Sequence, residues 1–205
     1  MYLAGGKMDE LIRRYSELAP DYDRIVTEKA GYTAHARVPQ QVLKLLGPLE
    51  GASILDLACG TGLSSDVFFE AGCEVTGIDI APGMIEVAKL RPFKKLLCQS
   101  IEDTLDVPDA SFDAVVAIGV LEFIRAPRQL LEQISRKLRS GGICGLTVPR
   151  RLPLHTRLDI FSYSTDEFMS FVDLGCFEVV EVAEFFGYER QQERVEYKAF
   201  YLRGS

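Results

Sequence analysis

A glycine turn with an acid at each end is the most chemically specific feature of this chain. In LDLACGTG, residues 55–62, Asp56 stands ahead of Ala58, Gly60 and Gly62, and Asp79 follows nineteen positions after Gly60, at the end of VTGID. Glycines at 60 and 62 let the backbone come close to a ligand or take a positive φ, where a Cβ would obstruct either. The same pair would equally serve a turn needed only for tight packing. Asp79 carries a carboxylate suited to accept hydrogen bonds from ribose hydroxyls, or simply caps a helix entered through Pro82. A glycine turn after one strand and an acid after the next are together more specific than either alone. A dinucleotide turn calls for G-x-G-x-x-G, its third glycine allowing close helix packing, and here Leu63 occupies that place. Asp56 argues the same way, because a carboxylate beside a pyrophosphate repels it more strongly as water is excluded. A cationic, phosphate-free ligand reverses that sign; S-adenosylmethionine, with its sulfonium and ammonium groups, is one.

The elements that must position these residues follow from periodicity. Residues 9–25 carry Leu11, Ile12, Tyr15 and Leu18 at helical spacing, interrupted or restarted at Pro20, and a further helix is expected over 39–46, ended by Gly47-Pro48. Short apolar runs at 53–57, 74–78, 95–98, 114–118 and 142–147 then alternate with helical patterns at 63–70, 83–88 and 127–138. This alternation predicts an α/β fold: a doubly wound, Rossmann-like, mostly parallel sheet with helices on both faces. Residues 165–175 predict a helix with Thr165 as N-cap, closed by Gly175. The runs 177–188 and 195–203 are joined by a short link and read as an antiparallel pair at the sheet edge, which brings the count to seven strands.

Composition narrows the classes. At 205 residues and 47% hydrophobic, the chain suffices for one domain over 1–205, a helical segment 8–46 preceding a core 53–205. A net charge of −7 argues against a phosphate-driven nucleic-acid binder, and the basic cluster Arg150, Arg151, Arg157 is too short to reverse it. The five cysteines, Cys59, Cys73, Cys98, Cys144 and Cys176, never form CxxC, so neither a disulfide framework nor a metal site is expected. The N-terminus MYLAGGKMDELIRR lacks a basic-then-apolar layout and the longest apolar stretches are strand-length. The expectation is a cytoplasmic chain, with no membrane partner, as a monomer or homodimer.

With these residues placed, the chain resembles the class I S-adenosylmethionine-dependent methyltransferases, most closely the small-molecule group called methyltransferase type 11. The likeness runs from about Tyr15 to the end. ILDLACGTG resembles the family's first motif, VTGIDIAPGMIEVAK the second, SIEDTLDVPDASFDAVVAIGVLEFI the third and fourth, and LRSGGICGLTVP the segment of strand five. The resemblance implies S-adenosylmethionine as cofactor and S-adenosylhomocysteine as product. It implies that Asp56, Ala58, Cys59, Gly60 and Gly62 line the methionine portion, with Asp79 on the ribose. By the same likeness Ile80 and Met84 flank the adenine, Ser100, Ile101 and Glu102 meet its edge, and the backbone at Ile118 and Gly119 faces the amino-acid end. Core packing is the alternative role for Ile80, Met84 and Ile101. Ser100 stands where the family often has Asp, which replaces a charge-assisted bond by a weaker neutral one. YSELAPDYDRIV resembles a lid helix, with Tyr15 or Tyr22 facing the pocket or merely anchoring the helix.

Methyl transfer to an O, N or C nucleophile is an in-line displacement on an activated sulfonium, so alignment supplies much of the catalysis and a base is optional. The catalytic candidates are His35, His155, Glu122 and Tyr22; Glu122 resembles the acid of the cyclopropane fatty-acid synthases, but Phe123 stands where their histidine is expected. Arg37 is available for a carboxylate or a surface pair. The short lid and the segment 150–163 favour a small-molecule acceptor over a folded macromolecule. The alternatives are a non-catalytic S-adenosylmethionine-binding regulatory or scaffold subunit, motivated by the absence of a clear base and by Ser100, and a tRNA or protein methyltransferase. A nicotinamide-dependent dehydrogenase is disfavoured by Leu63 and Asp56.

Overall fold

The computed structural model describes residues 5–149, 161, 163–173, 175–190 and 193–205; Arg150, Arg151, His155 and Arg157 lie outside them. The chain opens with helix α1 (Gly5–Leu18), which stops where Pro20 enters a 3-10 turn, Ala19–Asp21. A single turn α2 (Tyr22–Arg24) and a π-turn, Ile25–Lys29, lead to α3 (Ala34–Leu46). Then β1 (Ser53–Leu57), α4 (Asp66–Glu70), β2 (Glu74–Asp79), α5 (Pro82–Ala88), β3 (Lys95–Cys98), β4 (Phe112–Ala117), α6 (Pro127–Lys137) and β5 (Leu138–Pro149) alternate as strand and helix. A short helix α7 (Thr165–Met169) precedes β6 (Phe177–Arg190) and β7 (Glu193–Gly204).

The strands form one seven-stranded sheet in the order β3-β2-β1-β4-β5-β7-β6. The first five pair in parallel, Ile54 lying between Val75 and Ala114, while β7 runs antiparallel to both β5 and β6. The antiparallel strand therefore sits one place inside the edge, which β6 occupies. Nearly every position of β1, β2 and β4 is buried, as parallel strands covered on both faces require. On one face Leu130, Leu131 and Ile134 of α6 pack with Leu55, Val115 and Leu146. On the other, Val38 and Val42 of α3 and Phe68 of α4 pack with Ile54, Val116 and Ile143. A third, smaller cluster joins Ala19 to Ala81 and Met84, with Tyr15 and Tyr22 against it.

Two helices differ from the expectation. α3 begins at Ala34, five residues before Pro39, and keeps that proline buried in its interior. Proline removes one helical hydrogen bond there, but Val38, Pro39 and Val42 are buried together, so tertiary packing outweighs the local signal. The cap of α7 is Ser164: its side chain accepts from the Glu167 amide while the Glu167 carboxylate accepts from the Ser164 amide, a complete capping box. Thr165 instead engages Lys198 through its hydroxyl, and the helix ends at Met169, short of Gly175.

Candidate functional site

Strand order reverses between β1 and β4, and in a doubly wound sheet the crevice beyond the carboxyl ends of the strands at such a point receives ligands. A cleft of about 120 Å³ lies there. Its floor is made in turn by the loop after β1 (Ala58, Gly60), after β2 (Asp79, Ile80, Ala81), after β3 (Ser100, Ile101, Glu102) and after β4 (Ile118, Gly119, Val120). α1 and α2 cover it with Met8, Leu11, Ile12, Tyr15 and Tyr22, and Met84, Phe123 and Ile124 complete the wall.

Asp79 organises the floor. One carboxylate oxygen accepts from the Gly60 amide at 2.8 Å and the other from the Ala81 amide at 2.8 Å, so the acid after β2 fixes the turn after β1. Burial raises its pKa and these amide bonds oppose the rise; the residue itself lines the cleft. Gly60 has φ +56°, and a Cβ there would meet only the Met84 sulfur at 3.9 Å, so it would stand in the cleft rather than in protein.

Three residues expected on the wall are behind it. Asp56 is 1% exposed and its carboxylate accepts from the Ser65 hydroxyl at 2.7 Å; burial pushes its pKa up to about 7. Cys59 is buried against the sheet, its sulfur 2.8 Å from where a Cβ on Gly77 would lie, and burial holds its thiol well above the ordinary value. Gly62, at φ +92°, is overlain by Phe93 and Arg91, whose side-chain carbons lie 2.6 and 2.8 Å from a Cβ placed there. That glycine serves packing, whereas Gly60 faces the cleft. Ala58, which does line the cleft, holds φ +57° without being glycine.

The remaining expected residues, Ile80, Met84, Ser100, Ile101, Glu102, Ile118 and Gly119, converge on the cleft with Tyr15 and Tyr22. The Ser100 hydroxyl accepts from the Glu102 amide, and the Gly119 amide donates to the buried Thr147 hydroxyl at 2.7 Å. Tyr15 rests edge-on against Phe123, ring centroids 6.1 Å apart, and tilts onto Tyr22 at 6.3 Å. Met8, Leu11 and Ile12 were outside the expected site, although Met8, Leu11, Ile12 and Tyr15 make an i, i+3, i+4, i+7 stripe that marks one helix face. Ala81, Val120, Phe123 and Ile124 were also missed; each directly neighbours, or closely follows, an expected position.

The four candidate proton acceptors separate. Tyr22 lines the cleft, but burial, then the neighbouring Tyr15, Glu122 and Asp79, holds its phenol well above its usual range, so it remains a donor. His35 stacks on Tyr32, off the cleft wall, and its Nδ1 has no hydrogen-bond partner among the described residues; burial lowers its pKa. Glu122 is 8% exposed. Its Oε1 accepts from the Tyr197 hydroxyl at 2.8 Å, while its Oε2 is buried with no hydrogen-bond partner among the described residues. Burial raises this carboxyl too, the Tyr197 bond opposing the rise. His155 lies outside the described residues. Arg37 is exposed on α3 and does not line the cleft. Among the described residues no group of three or more His, Cys, Asp or Glu is arranged to hold a metal ion, and no helix is long and apolar enough to cross a membrane.

The family described as Methyltransferase domain matches residues 55–146. The chain is 30% identical over 156 residues to a demethylmenaquinone methyltransferase of Tropheryma whipplei, an alignment covering 74% of this chain and 65% of that protein. It is 34% identical over 131 residues to a ubiquinone biosynthesis O-methyltransferase of Xanthomonas oryzae pv. oryzae, covering 56% of this chain and 55% of the other. The chain thus spans less than two thirds of the length of these relatives. Among solved structures, a SAM-dependent methyltransferase from Aquifex aeolicus superposes with a TM-score of 0.65 at 20% identity, over 94% of this chain and 97% of that one, a likeness of fold.

Proposed function

The chain belongs to the class I S-adenosylmethionine-dependent methyltransferases, and from that premise we propose that its cleft binds S-adenosylmethionine and that the methyl group passes to a nucleophilic atom of a small, largely apolar molecule. The observation that carries the reading is the buried Asp79 carboxylate, anchored on two amides at the switch point, in a cleft whose lining contains no lysine or arginine among the described residues. A ribose is favoured by such an acid and a pyrophosphate is not. When bound, the cofactor supplies a methyl group on an already activated sulfonium.

In this reading the protein holds and aligns. Asp79 accepts from the ribose hydroxyls, and Gly60 keeps the turn open where a side chain would intrude. Ile80, Met84 and Ile101 flank the adenine, with Ser100 and Glu102 at its edge. Ala58, Ile118 and Gly119 border the amino-acid end, and Tyr15 and Tyr22 exclude water from above. Asp56 acts through the turn, which it braces by accepting from the Ser65 hydroxyl, rather than by contact. Met8, Leu11, Ile12, Phe123 and Ile124 suit a flat or chain-like apolar acceptor, and the names of the two relatives support a quinone-type head group. Glu122 is the proton acceptor we favour for a hydroxyl nucleophile: it stands behind the cleft wall rather than on it, beside the lining residue Phe123 and near Tyr22, with one buried carboxylate oxygen to spare.

The test is calorimetric binding of S-adenosylmethionine and S-adenosylhomocysteine, followed by detection of S-adenosylhomocysteine formed with catechol and with 1,4-naphthohydroquinone. Asp79→Ala is expected to weaken cofactor binding by about tenfold or more, the loss of a charge-assisted acceptor. No binding by the unaltered protein refutes the reading; binding without turnover on these acceptors refutes its acceptor class.

A further inference from the structure

The lid is tied to the glycine turn by a closed ring of polar contacts that the alignment of a cofactor does not itself require. Asp23, in α2, uses both carboxylate oxygens: one accepts from the Thr61 hydroxyl and the other from Arg91 Nη2 at 2.8 Å. Arg91 completes the ring by donating through Nη1 to the Thr61 carbonyl at 2.9 Å. Its Nε and Nη2 also grip the Asp66 carboxylate, at 2.7 and 2.9 Å, which fixes the guanidinium plane against α4. Thr61 is 1% exposed and lies between Gly60, which faces the cleft, and Gly62, which Arg91 overlies. The contacts are therefore made at the cofactor turn itself, by residues 38 and 68 positions away from Asp23 in sequence.

Asp23 directly follows Tyr22, and Tyr22 with Tyr15 covers the cleft. The lid's other flank is held differently: the Gly83 amide donates to the Ser16 hydroxyl at 3.3 Å, and α1 sits so close on α5 that a Cβ at Gly83 would lie 2.5 Å from the Ser16 carbonyl oxygen. One flank is thus a broad packed contact and the other a discrete polar clasp. Opening of a flank widens the way out of the cleft, and a part-solvated ion pair separates more readily than a packed helix crossing.

We propose that Asp23, Arg91 and Thr61 form a clasp that closes the lid over the cofactor, with Asp23 and Thr61 acting as positioning residues that set how long the bound cofactor is retained. The proposal rests on the cleft being the cofactor site. It makes the glycine turn a latch plate: Gly62 lacks a side chain so that Arg91 can lie across the turn and reach Asp23.

The test uses Asp23→Asn, which keeps the shape and removes the charge, and Thr61→Val, which keeps the volume and removes the hydroxyl. Two measurements are made on the full chain: the dissociation rate of S-adenosylhomocysteine by stopped-flow displacement, and amide hydrogen exchange of residues 9–24 without ligand. The clasp predicts dissociation about tenfold faster in each variant, equivalent to about 1.4 kcal/mol, with association unchanged or faster. It also predicts quicker exchange across residues 9–24 while β1 and β4 exchange as before. Raising salt should speed release from the unaltered protein and not from Asp23→Asn. Dissociation within about twofold of the unaltered rate and unchanged exchange in both variants would overturn the clasp. A chain that binds no S-adenosylhomocysteine removes the cofactor reading, and the exchange measurement then still decides whether Asp23 holds the lid.

Discussion

Replacing Asp56 by Asn isolates the cost of burying a carboxylate behind the turn. Asp56 is 1% exposed, receives one hydrogen bond from Ser65, and has its pKa raised by burial from the ordinary 3.8 to about 7. Between those two values the folded chain binds a proton that the unfolded chain releases, so stability falls as pH rises through that window and is level above it. Integrating the linkage from pH 5 to pH 8 gives a loss of about 2.5 kcal/mol attributable to this group. Asn has no such titration and its amide oxygen still accepts from Ser65. Asp56→Asn is therefore expected to gain about 2.5 kcal/mol over the unaltered protein between pH 5 and pH 8. Burial also raises Glu122, which titrates alike in the two proteins and cancels in the difference; the charge of Asp79 is the smallest contributor to the Asp56 rise, so its coupling to Asp56 enters only as a minor part of that difference. Urea unfolding followed by circular dichroism at unit pH intervals, with the slope checked for constancy, measures it. A stability difference that stays flat within about 0.5 kcal/mol over this range would refute the assignment of a buried, proton-holding Asp56.

The two glycines of the turn should respond differently. Gly62→Ala combines a disfavoured positive φ with a clash against Phe93 and Arg91 and should cost about 3 kcal/mol by thermal unfolding, against about 1 kcal/mol for Gly60→Ala. Gly60→Ala should instead weaken S-adenosylhomocysteine binding the more strongly of the two. Ala58→Gly relieves an alanine held at φ +57° and should stabilise the chain by about 0.5 kcal/mol, the strain released less the added freedom of the unfolded glycine; a lower melting temperature would contradict it. Glu122→Gln should lower kcat for a hydroxyl acceptor by about 100-fold with S-adenosylhomocysteine affinity retained, read with catechol, and an unchanged rate would remove Glu122 as proton acceptor.

Much of the fold was legible because parallel strands announce themselves. The runs 53–57 and 95–98 match β1 and β3 residue for residue, short apolar segments bounded by helical patterns. The start of α3 was not legible, since Pro39 reads locally as a helix beginning and only the packing of Val38 and Val42 against the sheet carries the helix back to Ala34. The cap of α7 was misplaced by one residue because Ser164 and Thr165 are equivalent as capping types, and the choice is made by Lys198, from β7, engaging Thr165.

The site shows the same division between local and distant causes. Asp79 and Gly60 were readable as a pair because their relation, strand end to turn, is fixed by neighbouring parallel strands. The side on which Asp56 points was not readable: in a strand buried on both faces, Leu55 and Leu57 give no alternation from which to infer orientation. Nor could spacing distinguish Gly60 from Gly62. The first is open to the cleft, while the second is closed by Arg91, which comes from beyond α5 and also binds the lid at Asp23. Motif glycines of equal appearance therefore divide their work according to what lies over them, and at Gly62 that is the arm of the clasp.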